Sequence, residues 1–455
     1  MVLQFFMTQT MLSSSEYIEE QRKNYAIYVI QNRALVSLCD GLKVGARRVI
    51  WMAKSGDKVK TATLAGATMP IHPHKEPSGV INTLSAPYGN NIPLFTGYGA
   101  FGTLLDPQSY GQPRYTSVKI SQFSKDVILA DIELVEMVDN YDQTTKEPKH
   151  FLPLIPLTLL NPTDGIAVGF ASTILPRSLV DIIKSQIDFL NGKSVKEAMP
   201  EFYPFKSKAL KLGNDGRWLF ETPIERLNSF EVKISNIPYG SSYTKVMTNL
   251  NKLLEQGVIK DYVDDSSDEI VITVKFPRGY LATVTDTKLQ TMLGLVSKVK
   301  ENLTILDFNG TQVLETVPYI TIIEKFTKWR LRFYKKRYQR LLKLVEADSQ
   351  RYRDILLAIE NDVGKLAPTF PDRAALKEFL KIIMIVGVDY IADLPIYRFT
   401  VKEREKVEQL LESSLKIEKE MTEIINTPDK QKDIYINELR GVLNNFKKGK
   451  YSPVG

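Results

Sequence analysis

The longest regular pattern of apolar and polar positions lies in the last third of the chain. From Tyr319 to about residue 362 there is neither proline nor glycine. Ile322, Phe326, Trp329 and Phe333 recur at four-three-four spacing, as do Tyr334, Tyr338, Leu341 and Val345. That period predicts one helix with an apolar stripe for a partner helix, about 65 Å long at 1.5 Å per residue. A second helix is predicted over 401–426, where Val407, Leu410, Leu411, Leu415 and Ile417 recur. The proline-bounded stretch between them, "PTFPDRAALKEFLKIIMIVGVDYIADLP", is apolar enough for a small globular piece. Two long helices around such a knob make an antiparallel coiled-coil arm with a tip suited to a dimer contact.

Upstream the periods change. In residues 161–317, "SFEVKISNIP" and "EIVITVKF" alternate as strands do, and "SYTKVMTNLNKLLEQG" between them has helical spacing and a glycine stop at Gly257. The acidic "DDSSDE" (264–269) falls between strand patterns and reads as a solvated turn. Residues 1–160 alternate short helical patterns with turns rich in Gly, Pro and Asn. The expected fold class is α+β and multidomain, divided into 1–160, 161–317 and 318–455.

Composition narrows this only a little. A chain of 455 residues with 43% hydrophobic and 25% charged residues can bury more than one core. Lys and Arg number 60 against 53 Asp and Glu, a net +7 that matters only where it gathers on one face. The single cysteine, Cys39, excludes an internal disulfide framework, and no Cys/His cluster has zinc-ligand spacing. No apolar run approaches the roughly 20 residues that span a bilayer, so the expectation is a soluble cytoplasmic protein with no membrane partner.

Four stretches carry candidate chemistry. In "DGLKVGARRVIWMAK" (40–54), Ala46, Val49, Ile50 and Ala53 form one apolar helix face, which should leave Lys43, Arg47 and Arg48 to a solvated side or to phosphates. In "IHPHK", His72 and His74 flank a proline, and phosphate contact or proton handling competes with an ordinary surface turn. In "GQPRYTSVKI", Arg114 adjoins Tyr115. A phenol, with a pKa of about 10, attacks near neutral pH only with a base, a metal or cations to stabilise the phenolate. The apolar, small-residue run "GIAVG" (165–169) is either a buried strand or a hairpin whose Ile166 wedges between base pairs.

Taken in order, "NRALVSLCDGLKVGARRVI", "HPH", "GYGAFGT", "PRYT", "DNYDQTTKEP", "LLNPTDGIAVGFAS", "ISNIPYG" and "YRFTVKEREKV" resemble the breakage-reunion subunit of type IIA DNA topoisomerases, of the gyrase A and topoisomerase IV type, over nearly the whole chain. In length the chain is similar to a bacteriophage topoisomerase medium subunit. The resemblance implies a winged-helix DNA-gate domain, an α/β tower domain, and a coiled-coil arm ending in a dimerisation gate. It implies that Tyr115, with Arg114 as its partner, attacks a DNA phosphodiester. A 5′ phosphotyrosyl ester and a free 3′ hydroxyl result, and two copies of the chain act on opposite strands. Arg33, Lys43, Arg47, Arg48, His72 and His74 match residues lining the cleavage gate, and Ile166 matches an intercalating isoleucine. Partners implied are double-stranded DNA, a second copy of the chain, and a Toprim/ATPase subunit or subunits that bring Mg2+ ligands and bind ATP, inside a bacterial cell or phage-infected host.

The chain also departs from that family's pattern. Ala46 stands where a histidine usually precedes the paired arginines, Lys75-Glu76-Pro77 replaces Gly-Asp-Ser after the histidines, and Ile81 takes an acidic position. These departures predict a poor response to fluoroquinolones. No Gly-rich nucleotide loop and no Toprim-like acidic set is found, and the short stretch after the arm leaves no room for a DNA-wrapping domain, so relaxation and decatenation are expected rather than negative supercoiling. Two rival readings are a tyrosine recombinase-like enzyme, whose nucleophile normally lies near the end of its catalytic domain, and a non-catalytic DNA-binding scaffold.

Overall fold

The structure, a computed structural model, describes residues 14–73, 77–213 and 215–451. His74, Lys75 and Glu76 lie outside the described residues. The chain divides into two compact units, one formed by residues 1–328 and 438–455, the other by 329–437. No helix among the described residues is long and apolar enough to cross a membrane.

The first unit opens with α1 (Ser14–Val29), which buries none of its residues and winds into a π-helical turn, Ile30–Ala34. Helix α2 (Val44–Met52) buries Ala46, Val49 and Ile50, the face its spacing predicts. Strand β1 (Val59–Lys60) runs directly into α3 (Thr61–Thr68). Helix α4 (Ser78–Ser85) follows, with Ile81 wholly buried. Strands β2 (Phe95–Tyr98) and β3 (Ser117–Ile120) complete an antiparallel sheet of order β1-β3-β2, in which Lys60 and Tyr98 both pair with Ser117. That register sets Tyr115 two residues before the central strand.

Two hairpins come next, β4 (Met137–Asp139) with β5 (Lys146–Pro148), and β6 (Thr163–Ile166) with β7 (Ala171–Ile174). The second is set tightly on the π-helical turn: a Cβ on Gly165 would lie 2.1 Å from the Ala34 carbonyl oxygen, so only glycine fits. Past α5 (Leu179–Leu190), the strands β8 (Lys208–Leu212), β9 (Arg217–Glu221), β10 (Glu225–Arg226) and β11 (Glu231–Ile234) lead to α6 (Tyr243–Glu255). They continue with β12 (Asp261–Asp264), β13 (Ile272–Lys275), α7 (Asp286–Met292), β14 (Val296–Lys300) and the hairpin β15 (Ile305–Leu306) with β16 (Val313–Leu314). Two sheets result, β14-β9-β8 and β10-β11-β13-β12, the latter packed on α6 through Val232, Ile234, Val246, Leu250, Ile272 and Val274. As expected, the acidic run at 264–269 joins β12 to β13. The root of the β6/β7 hairpin is tied down by the buried Arg177–Glu301 ion pair (2.7 Å), where Trp218 Nε1 also donates to Glu301 (3.2 Å).

Helix α8 (Tyr319–Glu360) is unbroken, as its sequence predicts, and most of it belongs to the second unit. Three short helices follow, α9 (Val363–Leu366), α10 (Arg373–Ile382) and α11 (Val388–Ala392), and then the long α12 (Val401–Asn426); α13 (Pro428–Lys447) returns the chain to the first unit. Ser349 hydrogen-bonds Ser414 at 2.7 Å, Arg404 approaches Glu360 at 3.7 Å, and Tyr334 packs on Tyr435, so the return chain runs antiparallel to α8. The knob has a core of its own, built from Ile355, Ala358, Leu376, Leu380, Ile391 and Val407. Helix α12 has the bounds its sequence predicts. Only Val407 and Ser414 are buried on it, while Leu410, Leu415 and Ile417 are exposed, and paired serines rather than a continuous leucine stripe make the contact with α8 at this level.

Candidate functional site

Tyr115 sits on a turn rather than in a core. Its N–H bonds the Gln112 carbonyl (2.8 Å), and the start of α3 holds the turn from below: Thr61 N–H donates to Thr116 O (3.1 Å) and Ala62 N–H to Pro113 O (3.1 Å). The Thr61 and Thr116 hydroxyls meet at 2.7 Å in a buried contact, a bond that contributes about 1 kcal/mol and costs about 1–3 kcal/mol when one partner is left alone. Because a strand and a helix fix the backbone, the phenol can be 70% exposed without being adrift. The Arg114 guanidinium lies 4.7 Å from the centre of the Tyr115 ring. Lys60 Nζ donates to the Tyr115 carbonyl (3.3 Å). A second cation–ring contact joins the residue before β1 to the end of β2, Lys58 over the Tyr98 ring at 3.8 Å.

The remaining candidates form separate groups. Lys43 Nζ donates to the Asp164 carbonyl (2.6 Å) at the base of the β6/β7 hairpin. Burial depresses its ammonium pKa, partly offset by Asp164. At the hairpin tip, Ile166 is 87% exposed and Val168 is exposed beside it, with Gly169 at φ 80° closing the turn. Apolar side chains held out on a rigid hairpin have no packing role within the described residues. His72 Nε2 meets the Tyr28 hydroxyl at 3.1 Å, its ring lies 5.2 Å from that of Tyr141, and Arg33 lies 5.2 Å over the Tyr28 ring. Tyr115 and His72 flank opposite ends of α3, an eight-residue helix about 12 Å long.

The paired arginines do not point outward together as their helix spacing suggests. Arg47 is buried, with Nε 2.7 Å and Nη2 3.0 Å from the wholly buried Asp40 carboxylate. Burial opposes its charge, and Asp40 more than offsets this, so the guanidinium pKa is raised. Arg48 is largely buried, its side chain 12% exposed, and doubly paired with the Glu147 carboxylate, one contact at 2.9 Å. Asp40 also accepts the N–H groups of Leu42 (3.2 Å) and Phe151 (3.0 Å). This corrects the expectation for Arg47: its fork is spent on a carboxylate inside the fold, which leaves it to fix the entry of α2. The third histidine, His150, is largely buried near this pair, and burial first of all lowers its pKa. Sequence reasoning passed over Asp40, Glu147, Tyr28, Tyr141 and Lys60, whose roles depend on contacts that no local spacing signals.

The arrangement thus offers an exposed phenol flanked by two cations, a protruding apolar wedge with a lysine at its root, and a histidine held between tyrosines. Comparison with known proteins bears on what this set is for. A family model that describes the A subunit of DNA gyrase/topoisomerase IV matches residues 33–440. The A subunit of DNA topoisomerase 4 from Pseudomonas aeruginosa is 26% identical over 480 residues, covering 97% of this chain, which spans 63% of that relative's length. The DNA topoisomerase medium subunit of Enterobacteria phage T4 is 27% identical over 433 residues, covering 90% of this chain and 95% of the relative. Among solved structures, the Plasmodium falciparum topoisomerase II DNA-binding, cleavage and re-ligation domain superposes with a TM-score of 0.80 at 21% identity, over 97% of this chain and 66% of that one, a likeness of fold.

Proposed function

Because the chain belongs to the family of DNA gyrase/topoisomerase IV A subunits, we propose that it is the cleaving and religating subunit of a type IIA DNA topoisomerase. The observation that carries this reading is the exposed Tyr115 on a backbone pinned by β3 and α3, with Arg114 and Lys60 beside it. The Tyr115 oxygen attacks a DNA phosphorus and forms a phosphotyrosyl ester on the 5′ end. The bond to the 3′ oxygen breaks, and that oxygen leaves as a hydroxyl carrying a proton drawn through solvent from the phenol. Attack of the same hydroxyl on the ester restores the strand. One phosphoester replaces another, so resealing needs no external energy.

Catalysis of such a step is mostly positioning and neutralisation of charge on the equatorial oxygens. Arg114 and Lys60 are the cations placed for it. Lys43 and Ile166 act together, the wedge opening a base step and the lysine holding the hairpin root, which exchanges unstacking energy for a bend. Arg33, Arg48, His72 and His74 are phosphate-contact candidates; Arg47 serves instead as a positioning residue. In this reading residues 1–160 are the winged-helix DNA gate, 161–317 the tower, and 318–455 the arm and its gate. The arm's knob exposes Ile382, Met384, Val386, Ile396 and Val401, an apolar patch that suits a second copy of the chain.

Among the described residues no three His, Cys, Asp or Glu side chains are gathered to hold a metal ion, so no residue here is assigned to Mg2+. The metal ligands and the ATP site are assigned to a Toprim/ATPase partner, and no step above runs through them. The test is Tyr115→Phe, assayed with partner subunits, magnesium and supercoiled plasmid. Duplex binding is retained and the covalent adduct is lost if the reading holds. Cleavage at the wild-type rate by Tyr115→Phe refutes it, and binding without an adduct in either protein favours a scaffold.

A further inference from the structure

Over residues 325–345, one side of helix α8 carries positive charge alone, bounded in sequence by Glu324 and Glu346. Residues 325–345 include no Asp or Glu. Within the second unit Arg332, Lys335, Lys336 and Lys343 are exposed, and at about 100° of turn per residue they fall with Gln339 inside an arc of about 100°. The opposite arc carries Tyr334, buried against the Tyr435 ring at 5.0 Å. None of the four cations has a carboxylate partner among the described residues.

An ordinary solvated face looks different, and α12 in the same unit supplies the comparison. There the charges are matched along the helix, Arg404 with Glu408 at 2.9 Å and Lys416 with Glu412 at 2.9 Å. Like charges three or four residues apart on a helix each cost a few tenths of a kcal/mol, so Arg332 against Lys335 and Lys336 opposes helix stability unless something anionic relieves it. The arc holds no apolar residue to anchor a folded protein. From Arg332 to Lys343 it runs about 16 Å along the axis, a length over which one DNA strand presents about five phosphates.

We propose that this face of α8 binds a second DNA duplex through its phosphates, without reading sequence. The inference rests on the strand-passage reading, since that reaction requires a duplex besides the one cleaved. The probe is a photoactivatable cross-linker on Gln339→Cys. Cys39 is buried with its thiol pKa pushed up to about 12, so position 339 labels alone. The full chain is assembled with its partner subunits and magnesium, saturated with an unlabelled duplex, and then given a fluorescent one.

The expected result is cross-linking to the fluorescent duplex. In binding of that duplex, the log–log salt slope should fall in magnitude by about 1.8 in Lys335→Gln/Lys336→Gln and by about 3.6 when Arg332→Gln and Lys343→Gln are added. The adduct at Tyr115 on the first duplex should be unchanged. The double variant keeps the test valid should the fourfold one unfold. An unchanged slope in the double variant overturns the proposal, as does cross-linking to polyglutamate but not to duplex, which would give the face to an acidic protein. Cross-linking that persists in preparations unable to form any Tyr115 adduct would leave this surface standing and sink the topoisomerase reading instead.

Discussion

Replacing Asp40 by alanine tests the reassignment of Arg47. The carboxylate receives Arg47 Nε at 2.7 Å and Nη2 at 3.0 Å, plus the N–H groups of Leu42 and Phe151. Asp40→Ala leaves a buried guanidinium without a counter-charge and two N–H groups without an acceptor. Breaking a buried pair in this way costs about 3–5 kcal/mol. Cys39, adjacent in sequence and itself wholly buried, reports the loss locally, because a thiol reagent reaches it only when this part of the fold opens. At 1.36 kcal/mol per decade, a loss of 3 kcal/mol or more raises the labelling rate about a hundredfold or beyond. Adding Arg47→Met to Asp40→Ala removes the stranded charge and should recover about tenfold of that rate or more. Arg47→Met alone should leave the salt slope of duplex binding unchanged, whereas a direct phosphate contact predicts a loss of about 0.9. Less than tenfold faster labelling in Asp40→Ala, or the full loss of slope in Arg47→Met, refutes the assignment.

Other consequences can be measured separately. Ile166→Ala should leave stability within about 0.5 kcal/mol, since the side chain packs on nothing, yet reduce DNA bending seen by energy transfer between the ends of a labelled duplex. Gly165→Ala should displace the hairpin, because the new methyl meets the Ala34 backbone rather than a movable side chain, and should cost about 1–3 kcal/mol in urea unfolding together with most of the cleavage activity. His150 has a folded pKa below its unfolded value of about 6.5, so the unfolded chain binds the extra proton and stability falls as pH drops below that value; His150→Gln should lose less of its melting temperature between pH 7 and pH 5. With Ile81 buried in α4, fluoroquinolones should trap few cleavage complexes at ordinary concentrations; abundant trapping would show that the acidic position is not needed.

What could be read from sequence was whatever depends on local period or local chemistry. The stretch free of proline and glycine located α8 to within two residues of its end, and the apolar quartet in α2 faces inward as expected. What could not be read depends on partners far along the chain. Arg48 meets Glu147 and His72 meets Tyr28 across 99 and 44 residues, and no spacing rule reaches that distance. Arg47 was misplaced for a different reason: helical periodicity assigns a side, while the buried Asp40 lies outside the helix and draws the side chain back in. On α12 the recurring apolar positions located the helix but did not say which of them are buried, because helix contacts are decided by the facing residues, here Ser349 against Ser414. The GIAVG run was ambiguous between strand and wedge until the hairpin geometry put Ile166 at the tip.

The most direct measurement is the site of covalent attachment. Cleavage complexes formed with partner subunits and magnesium are denatured, digested with trypsin and nuclease, and the nucleotide-bearing peptide is sequenced by mass spectrometry. Of the chain's 21 tyrosines, Tyr115 alone should carry the nucleotide, joined through its 5′ phosphate. Attachment at any other tyrosine, or through a 3′ phosphate, would contradict the account.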